Sequence, residues 1–286
     1  MNYLIIGASG LVGGNLYNYL KEIKEDDVIG TYNTFKEKNF YQLDTGQPVE
    51  IWNKKILNFN PDVVVFCGGL IHVEKCEEDE KSSYERNILS LKNALSYSKA
   101  RQSKFVYLST DYVFDGKNGP YSEDSKKNPL SIYGRHKSDA EDILMKSKLK
   151  YLILRITNVY GKEIQNKNFI NQLLNNQNRK FKIPDWQYST PVNAFDVARA
   201  IKLLINDDKK GIYHLSSTDF LSRVDLVRLF NEFSNKKIEF EIITESENFQ
   251  LAKRPKFGGL INFKFKSEYP EFKFSSLASF LINSLK

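Results

Sequence analysis

Two cysteines, three histidines and two tryptophans are spread through 286 residues. Cys67 and Cys76 lack the paired spacing of a zinc or redox site, and no His/Cys cluster offers a tetrahedral ligand set. No metal is expected. Two thiols without an evident partner suit a reducing compartment. No apolar run approaches the ~20 residues that span a bilayer. The chain opens directly on an apolar strand, without a charged leader. The expected location is the cytoplasm, with no membrane partner. The formal charge is +7, but the lysines are scattered and form no basic block, so a nucleic-acid partner is not expected. The mild positive field favours small anionic ligands. There is no internal repeat and no low-complexity tract. What remains is ordinary globular composition, with 41% hydrophobic and 27% charged residues, and length for one or two domains.

Residues 3–6 (Tyr-Leu-Ile-Ile) form a short apolar run that reads as a buried strand. Gly7-Ala8-Ser9-Gly10-Leu11-Val12-Gly13 follows, then a helical stripe at Leu16, Leu20 and Ile23. Strand, glycine-rich turn and helix in that order make a pyrophosphate cradle. Gly7 permits the turn, Gly10 admits a phosphate to the backbone, Gly13 lets helix and strand pack, and the helix N-terminus supplies free N–H groups. Ser9, Leu11 and Val12 belong to the same stretch. The bland alternative, a glycine turn without ligand, explains the placement less well.

Val28–Asn33 reads as a second strand. Its end carries no acid for a ribose 2′-hydroxyl, while Lys36 and Lys38 follow. Lysines there suit the 2′-phosphate of NADPH, although both also read as solvated loop charges, and NADH stays open. Residues 40–44 look like a short strand whose Asp44 either contacts the adenine edge or starts a turn. Residues 49–58 look helical. Val63–Cys67 is wholly apolar, as in a central parallel strand, and runs into Gly68-Gly69, where backbone can again lie against a cofactor. One long helix is expected over 78–99, with a stripe at Tyr84, Ile88, Leu91 and Leu95.

Phe105–Leu108 is the next strand. It leads into Ser109-Thr110-Asp111-Tyr112-Val113-Phe114-Asp115-Gly116. A hydroxyl at the carboxyl end of a parallel strand stands where open α/β sheets place chemistry; the plain role of Thr110 is to cap a turn. Then comes Ser131-Ile132-Tyr133-Gly134-Arg135-His136-Lys137, with Ser131 as the expected cap. On a helix Tyr133 and Lys137 share one face, a turn apart. A Lys⁺ beside a phenol lowers its pKa, and a phenol so tuned exchanges a proton with a carbonyl or alcohol oxygen. Alone this spacing is weak; behind the glycine turn and Thr110 it becomes a catalytic candidate.

Strand and helix alternate through residues 1–157, which predicts an α/β fold with a doubly wound, Rossmann-type parallel sheet. Residues 192–216 are expected to pack back onto that domain. Residues 158–191, with a helix near 168–177, and 217–286, ending in a helix from Leu277, are expected to form a smaller substrate-binding region.

The glycine turn, the Ser109–Gly116 string and Tyr133-x-x-x-Lys137 together resemble the extended short-chain dehydrogenase/reductases, and within them the dTDP-4-dehydrorhamnose reductase family. Arg155, Thr190-Pro191, Asp196-Val197-Ala198 and Arg254-Pro255 extend the resemblance over most of the chain. It implies NAD(P)H-dependent reduction of a keto group on a nucleotide-linked 6-deoxy sugar. Thr110 would hold the carbonyl oxygen, Tyr133 would donate the proton, and Lys137 would tune Tyr133 and bind the nicotinamide ribose. Ser9, Leu11 and Val12 would line the pyrophosphate. Asp111 and Tyr112 would border the sugar. Arg254 would clamp the diphosphate, against the plain alternative of a surface ion pair. Two departures fall on the substrate side. Asn158 stands where the family tends to show Trp, and Gly258-Gly259-Leu260-Ile261-Asn262 replaces a Ser before an apolar-Asp pair. Two other readings stay open: a sugar-nucleotide epimerase or dehydratase, and a non-catalytic NADP-binding regulatory subunit. A homodimer through helices 78–99 and 130–148 and a monomer are both compatible with the sequence.

Overall fold

Val63–Phe66 has no polar side because both faces of the strand are covered. All four residues are buried, as are all seven of Lys104–Thr110. The computed structural model describes residues 1–284 apart from 164, 176–179, 236 and 248–249. Its strands are β1 (Asn2–Ile6), β2 (Asp27–Tyr32), β3 (Tyr41–Gln42), β4 (Val63–Phe66), β5 (Lys104–Thr110), β6 (Tyr151–Ile156), β7 (Phe181–Pro184), β8 (Tyr188–Ser189), β9 (Gly211–His214), β10 (Leu221–Ser222) and β11 (Phe240–Ile243). Seven of them form one sheet in the order β3-β2-β1-β4-β5-β6-β9, parallel throughout. The order reverses direction at β1 and β4, so the carboxyl ends of these strands open a crevice suited to a ligand. This is the doubly wound α/β fold that the alternating pattern predicts.

Alternation along each strand divides the core in two. Tyr3, Ile5, Val63 and Val65 face one layer, with Leu16 and Leu20 of the helix Leu11–Ile23 and Val197, Ile201 and Leu204 of the helix Ala194–Asn206. Leu4, Ile6, Val64 and Phe66 face the other, with Leu91 and Leu95 of Ser90–Ala100 and Leu144 of Ile132–Lys146. Each such side chain contributes about 1.5–3 kcal/mol on burial. A third cluster lies apart from the sheet and joins Ile170, Leu173, Ile183, Val227, Phe230, Leu277 and Leu281.

Several elements differ from the sequence expectation. The long helix expected over 78–99 runs without a gap from Glu80 to Ala100, but it contains a π-helical turn, Glu85–Leu89, between Glu80–Tyr84 and Ser90–Ala100, and a separate helix, Val73–Glu78, precedes it. The widened turn shifts the stripe, so Tyr84 is exposed while Ile88, Leu91 and Leu95 are buried. Asp79 stops the first segment and caps the second by accepting from the Ser82 amide. The expected helix at 49–58 is two single turns, Val49–Ile51 and Lys54–Leu57, divided where the Asn53 side chain caps the second. The expected strand at 40–44 shrinks to Tyr41–Gln42. The helix near 168–177 is Phe169–Asn175, and residues 176–177 lie outside the described residues; the terminal helix is Leu277–Ser284, with 285 likewise outside.

The largest fully buried side chain is Arg155 on β6. Its Nε and Nη2 donate to the two Glu141 oxygens at 2.9 and 2.8 Å. Ser109 Oγ donates to the same carboxylate at 2.6 Å. Arg155 Nη1 reaches the Glu123 carbonyl and His214 Nε2, both at 3.2 Å. His214 Nδ1 faces the Tyr121 carbonyl at 3.1 Å, so Nδ1 carries the hydrogen and Nε2 accepts. Burial, then the Arg155 charge, holds the His214 pKa down at about 3. Removing one charge of a buried pair strands the other and costs about 3–5 kcal/mol. Glu141→Gln should therefore lower the denaturant midpoint by that equivalent at unchanged m-value; a loss below about 1 kcal/mol would show that the pair does not hold the helix to β6.

Candidate active site

β1 turns sharply at Gly7 into the helix Leu11–Ile23. Gly7 has φ +85°, and a Cβ there would lie 3.1 Å from the Cys67 carbonyl carbon, so the ends of β1 and β4 touch through backbone. Thr31 of β2 fixes the turn: its Oγ1 accepts from the Gly7 amide at 3.2 Å. Gly10 is the helix N-cap and supplies no side chain to it. The first-turn amides of Leu11, Val12 and Gly13 thus keep their anion-binding capacity. Ser9 and Leu11 are half-buried and Val12 is buried in the sheet layer. This cradle fits a dinucleotide pyrophosphate.

Around it, Asp44 is exposed, and its Oδ1 accepts from the Gly46 amide at 3.0 Å, as a turn starter does. Burial pushes the Cys67 thiol up to about 12. Gly68 and Gly69 continue from β4, and Asn87 grips the next residue: Oδ1 accepts from the Leu70 amide at 3.0 Å, and Nδ2 donates to the Leu70 carbonyl at 3.1 Å. Sequence reasoning missed Asn87. It sits on the π-helical turn, and only that widened turn aims it at the loop. It also missed Gln165, whose Nε2 donates to the Ser9 carbonyl at 2.7 Å from a stretch with no pattern of its own.

Thr110 ends β5. Its Oγ1 donates to Asp111 Oδ1 at 3.2 Å and accepts from the Tyr112 amide at 3.3 Å. Ser131 caps the helix Ile132–Lys146 through the Gly134 amide (3.2 Å), and Glu77 accepts from the Ile132 amide (2.9 Å). That start places Tyr133 edge-on against Tyr112, ring centroids 5.6 Å apart. Lys137 Nζ donates to the Leu108 carbonyl at 2.7 Å and lies 4.6 Å from the Tyr107 ring centroid. Thr110, Tyr133 and Lys137 are all buried at this strand end.

The electrostatics correct one expectation. The Tyr133 phenol lies well above its usual range, not below it. Burial is the main cause, the neighbouring Tyr112 adds to it, and a hydrogen bond with Thr110 works against it. Desolvation penalises phenolate and ammonium alike. Accordingly Lys137 is held down at about 8, again chiefly by burial. The ammonium is aimed at a backbone carbonyl, so its pull on the phenol does not dominate.

On the substrate side Asp111 is buried, and its Oδ1 accepts from Thr110 Oγ1. Its Oδ2 accepts from the Gly259 amide at 3.0 Å; burial raises its pKa, and bonds from Gly259, Thr157 and Thr110 offset the rise. Tyr112 Oη accepts from Arg254 Nη1 at 3.2 Å. Arg254 Nη2 pairs with Glu74 at 2.8 Å and Nε donates to Gln250 at 2.7 Å. Glu74 also accepts from the Leu251 and Ala252 amides. Arg254 is thus in an ion pair, yet one that borders the cleft through Tyr112. Asn158 holds a left-handed φ of +40°; its Nδ2 donates to Ser189 Oγ, and its Oδ1 accepts from Arg223 Nη2 at 3.1 Å. Arg223 is the other residue that sequence reasoning passed over. Among the described residues no His/Cys/Asp/Glu group is arranged to hold a metal ion, and no helix is long and apolar enough to cross a membrane.

A dinucleotide cradle at the β1 turn, with a Thr, Tyr and Lys set at the end of β5, defines an extended short-chain dehydrogenase/reductase. Within that class, the chain belongs to the family described as the RmlD substrate binding domain, whose model matches residues 1–276. It is similar to a dTDP-4-dehydrorhamnose reductase of Aggregatibacter actinomycetemcomitans, 28% identical over 88% of this chain and 87% of that protein. It is also similar to methionine adenosyltransferase 2 subunit beta of Rattus norvegicus, 27% identical over 88% of this chain and 78% of the other. The crystal structure of a dTDP-4-dehydrorhamnose reductase from Clostridium acetobutylicum superimposes with a TM-score of 0.86, at 27% identity, over 99% of this chain and 98% of that one.

The depressed Lys137 pKa has a definite sign. Below about 8 both native and unfolded chains carry the proton, and the native state bears the full burial penalty. Between about 8 and the unfolded value of about 10.4 only the unfolded chain binds it, so this group makes stability rise with pH. Lys137→Met should therefore flatten the stability profile between about pH 8 and 10, relative to the wild type, by up to about 1.4 kcal/mol per unit. Parallel profiles in denaturant melts would rule out a buried, titrating amine.

Proposed function

We propose that the protein reduces the 4-keto group of a nucleotide-linked 6-deoxy sugar, with NADPH as the donor and NADH as the alternative. The observation that carries this reading is the meeting of Thr110, Tyr133 and Lys137 at the carboxyl end of β5, beside the β4 end that touches the Gly7 turn. The family and the reductase relative support it.

Gly7, Ser9, Gly10, Leu11, Val12 and Gly13 hold the pyrophosphate, and Asp44, Cys67, Gly68 and Gly69 line the rest of the dinucleotide. When bound, the reduced nicotinamide supplies the hydride. Thr110 Oγ1 orients the substrate carbonyl oxygen. Tyr133 Oη delivers the proton to that oxygen as it becomes an alkoxide, a far stronger base than a phenolate, so a raised phenol pKa does not prevent the transfer. Lys137 would bind the nicotinamide ribose hydroxyls and stabilise the resulting phenolate. Tyr112 and Asn158 border the sugar, Asp111 fixes the strand end behind them, and Arg254 meets the diphosphate. Residues 1–157 with 192–216 form the dinucleotide unit, and 158–191 with 217–286 form the substrate unit. Such a protein works in the cytoplasm, and any homodimer would use the face where Ser90–Ala100 and Ile132–Lys146 lie side by side.

Similarity to a methionine adenosyltransferase subunit favours a second reading, a dinucleotide-binding subunit of a partner enzyme. Turnover separates the two. Purified protein with NADPH and dTDP-4-keto-6-deoxyglucose, alongside UDP, GDP and CDP counterparts, should show substrate-dependent loss of absorbance at the reduced nicotinamide band. Tyr133→Phe should cut kcat by about 10²–10⁴ with NADPH affinity intact. Tight NADPH binding with no turnover on any substrate would sink the reductase and favour the subunit.

A further inference from the structure

Several buried cations in this fold are matched by acids, while the buried Lys137 rests on the Leu108 carbonyl. Arg155 has Glu141, Lys202 has Asp26, Lys104 has Asp208, and the largely buried Arg254 has Glu74. Where a half-buried guanidinium lacks an acid, as at Arg101, it ends on three main-chain carbonyls. Arg223 fits neither pattern. It opens the helix Arg223–Phe233, and among the described residues it has no carboxylate partner. Of its five N–H donors, one is used among the described residues, by Nη2 toward Asn158 Oδ1 at 3.1 Å.

The head is nevertheless fixed. Asn158 Nδ2 is committed to Ser189, which leaves its Oδ1 as the acceptor facing Arg223. The guanidinium carbon lies 4.5 Å from the Phe169 ring centroid. Its charged neighbourhood is the cleft: Tyr112, Arg254 and Asp111 are the groups whose fields reach it, and desolvation lowers its pKa. Asp111 adds a favourable field but forms no ion pair with the guanidinium, because its oxygens are engaged by the Gly259 amide and by Thr110. A desolvated, preorganised guanidinium with free donors is a site for an oxyanion.

We propose that Arg223, held by Asn158, binds an oxyanion of the substrate, either a phosphate of the diphosphate or a carboxylate on the sugar, and so helps set which nucleotide sugar is accepted. The proposal rests on the sugar-nucleotide reading of the cleft. Like Arg254 it borders Tyr112, but it differs in having no internal acid to displace before a ligand can bind.

Binding, not turnover, tests it. Titrate wild type, Arg223→Gln and Arg223→Lys, each with NADPH present, with inorganic pyrophosphate, dTDP, thymidine and UDP-glucuronate. Arg223→Gln should weaken at least one anionic probe by about tenfold or more, leave thymidine unchanged, and reduce the salt dependence of the affected probe. Arg223→Lys should recover part of the loss. Loss on pyrophosphate and dTDP names the phosphate as the source; loss confined to UDP-glucuronate names the carboxylate. Equal affinity of wild type and Arg223→Gln for every anionic probe overturns the proposal, as does a wild type that binds none of them. Unchanged NADPH affinity and melting temperature show that the variant is folded. If Arg223-dependent binding persists while no keto sugar is reduced, the reductase reading fails and this one stands.

Discussion

The Glu141 carboxylate joins three elements at one point. It lies one helical turn beyond Lys137 on Ile132–Lys146, takes both forks of Arg155 from β6, and accepts from Ser109, the neighbour of Thr110 on β5. The helix carrying Tyr133 and Lys137 is thereby registered against the strand end carrying Thr110 by three bonds of 2.6–2.9 Å. A buried ion pair adds little net stability over apolar packing of equal volume. Its value here is geometric, because it admits one axial position and one rotation of the helix. Proton transfer demands that tolerance: a hydroxyl displaced by an ångström is no longer in hydrogen-bond reach.

Desolvation then sets the chemistry of the same edge. Considered as an isolated pair, Tyr133 and Lys137 should favour their charged forms. In the fold both are buried, and both shift toward the neutral form. The ammonium keeps part of its solvation through the Leu108 carbonyl and the Tyr107 ring face. The pair is thus tuned by what the edge excludes, water, more than by the attraction between its members.

What could be read from the sequence divides along the same line. The parallel sheet follows from apolar runs such as Val63–Phe66, and the β1 turn from glycine spacing, because both are local. The cap at Ser131 is local too, and the structure uses it. The π-helical turn inside the expected 78–99 helix was not legible: nothing in the apolar period marks it, and the residue it carries toward the loop after β4, Asn87, looks like any helix-surface amide. The pairings Glu141 with Arg155, Glu74 with Arg254 and Asn158 with Arg223 escaped for another reason. Each joins residues far apart in the chain, and a charge pattern does not disclose its partner without the topology.

The wall of the cleft is built almost wholly from such distant pairings. Asp111 holds the Gly259 amide, and a Cβ at Gly258 would come within 2.7 Å of the same carboxylate. The glycines where the reductase family tends to carry other residues are therefore matched to the buried orientation of Asp111. That segment lies along β8, with Tyr188 donating to the Lys256 carbonyl and accepting from the Gly258 amide. β8 pairs with β10, and Arg223 follows β10 directly. One backbone relay thus runs from the end of β5 through residues 254–259 and β8 to Arg223. Both arginines that border Tyr112 ride on it, and neither Tyr133 nor Lys137 does. Tyr112 joins this wall to the edge that carries Tyr133: it accepts from Arg254 and packs edge-on against Tyr133, so the two parts of the site meet at one ring.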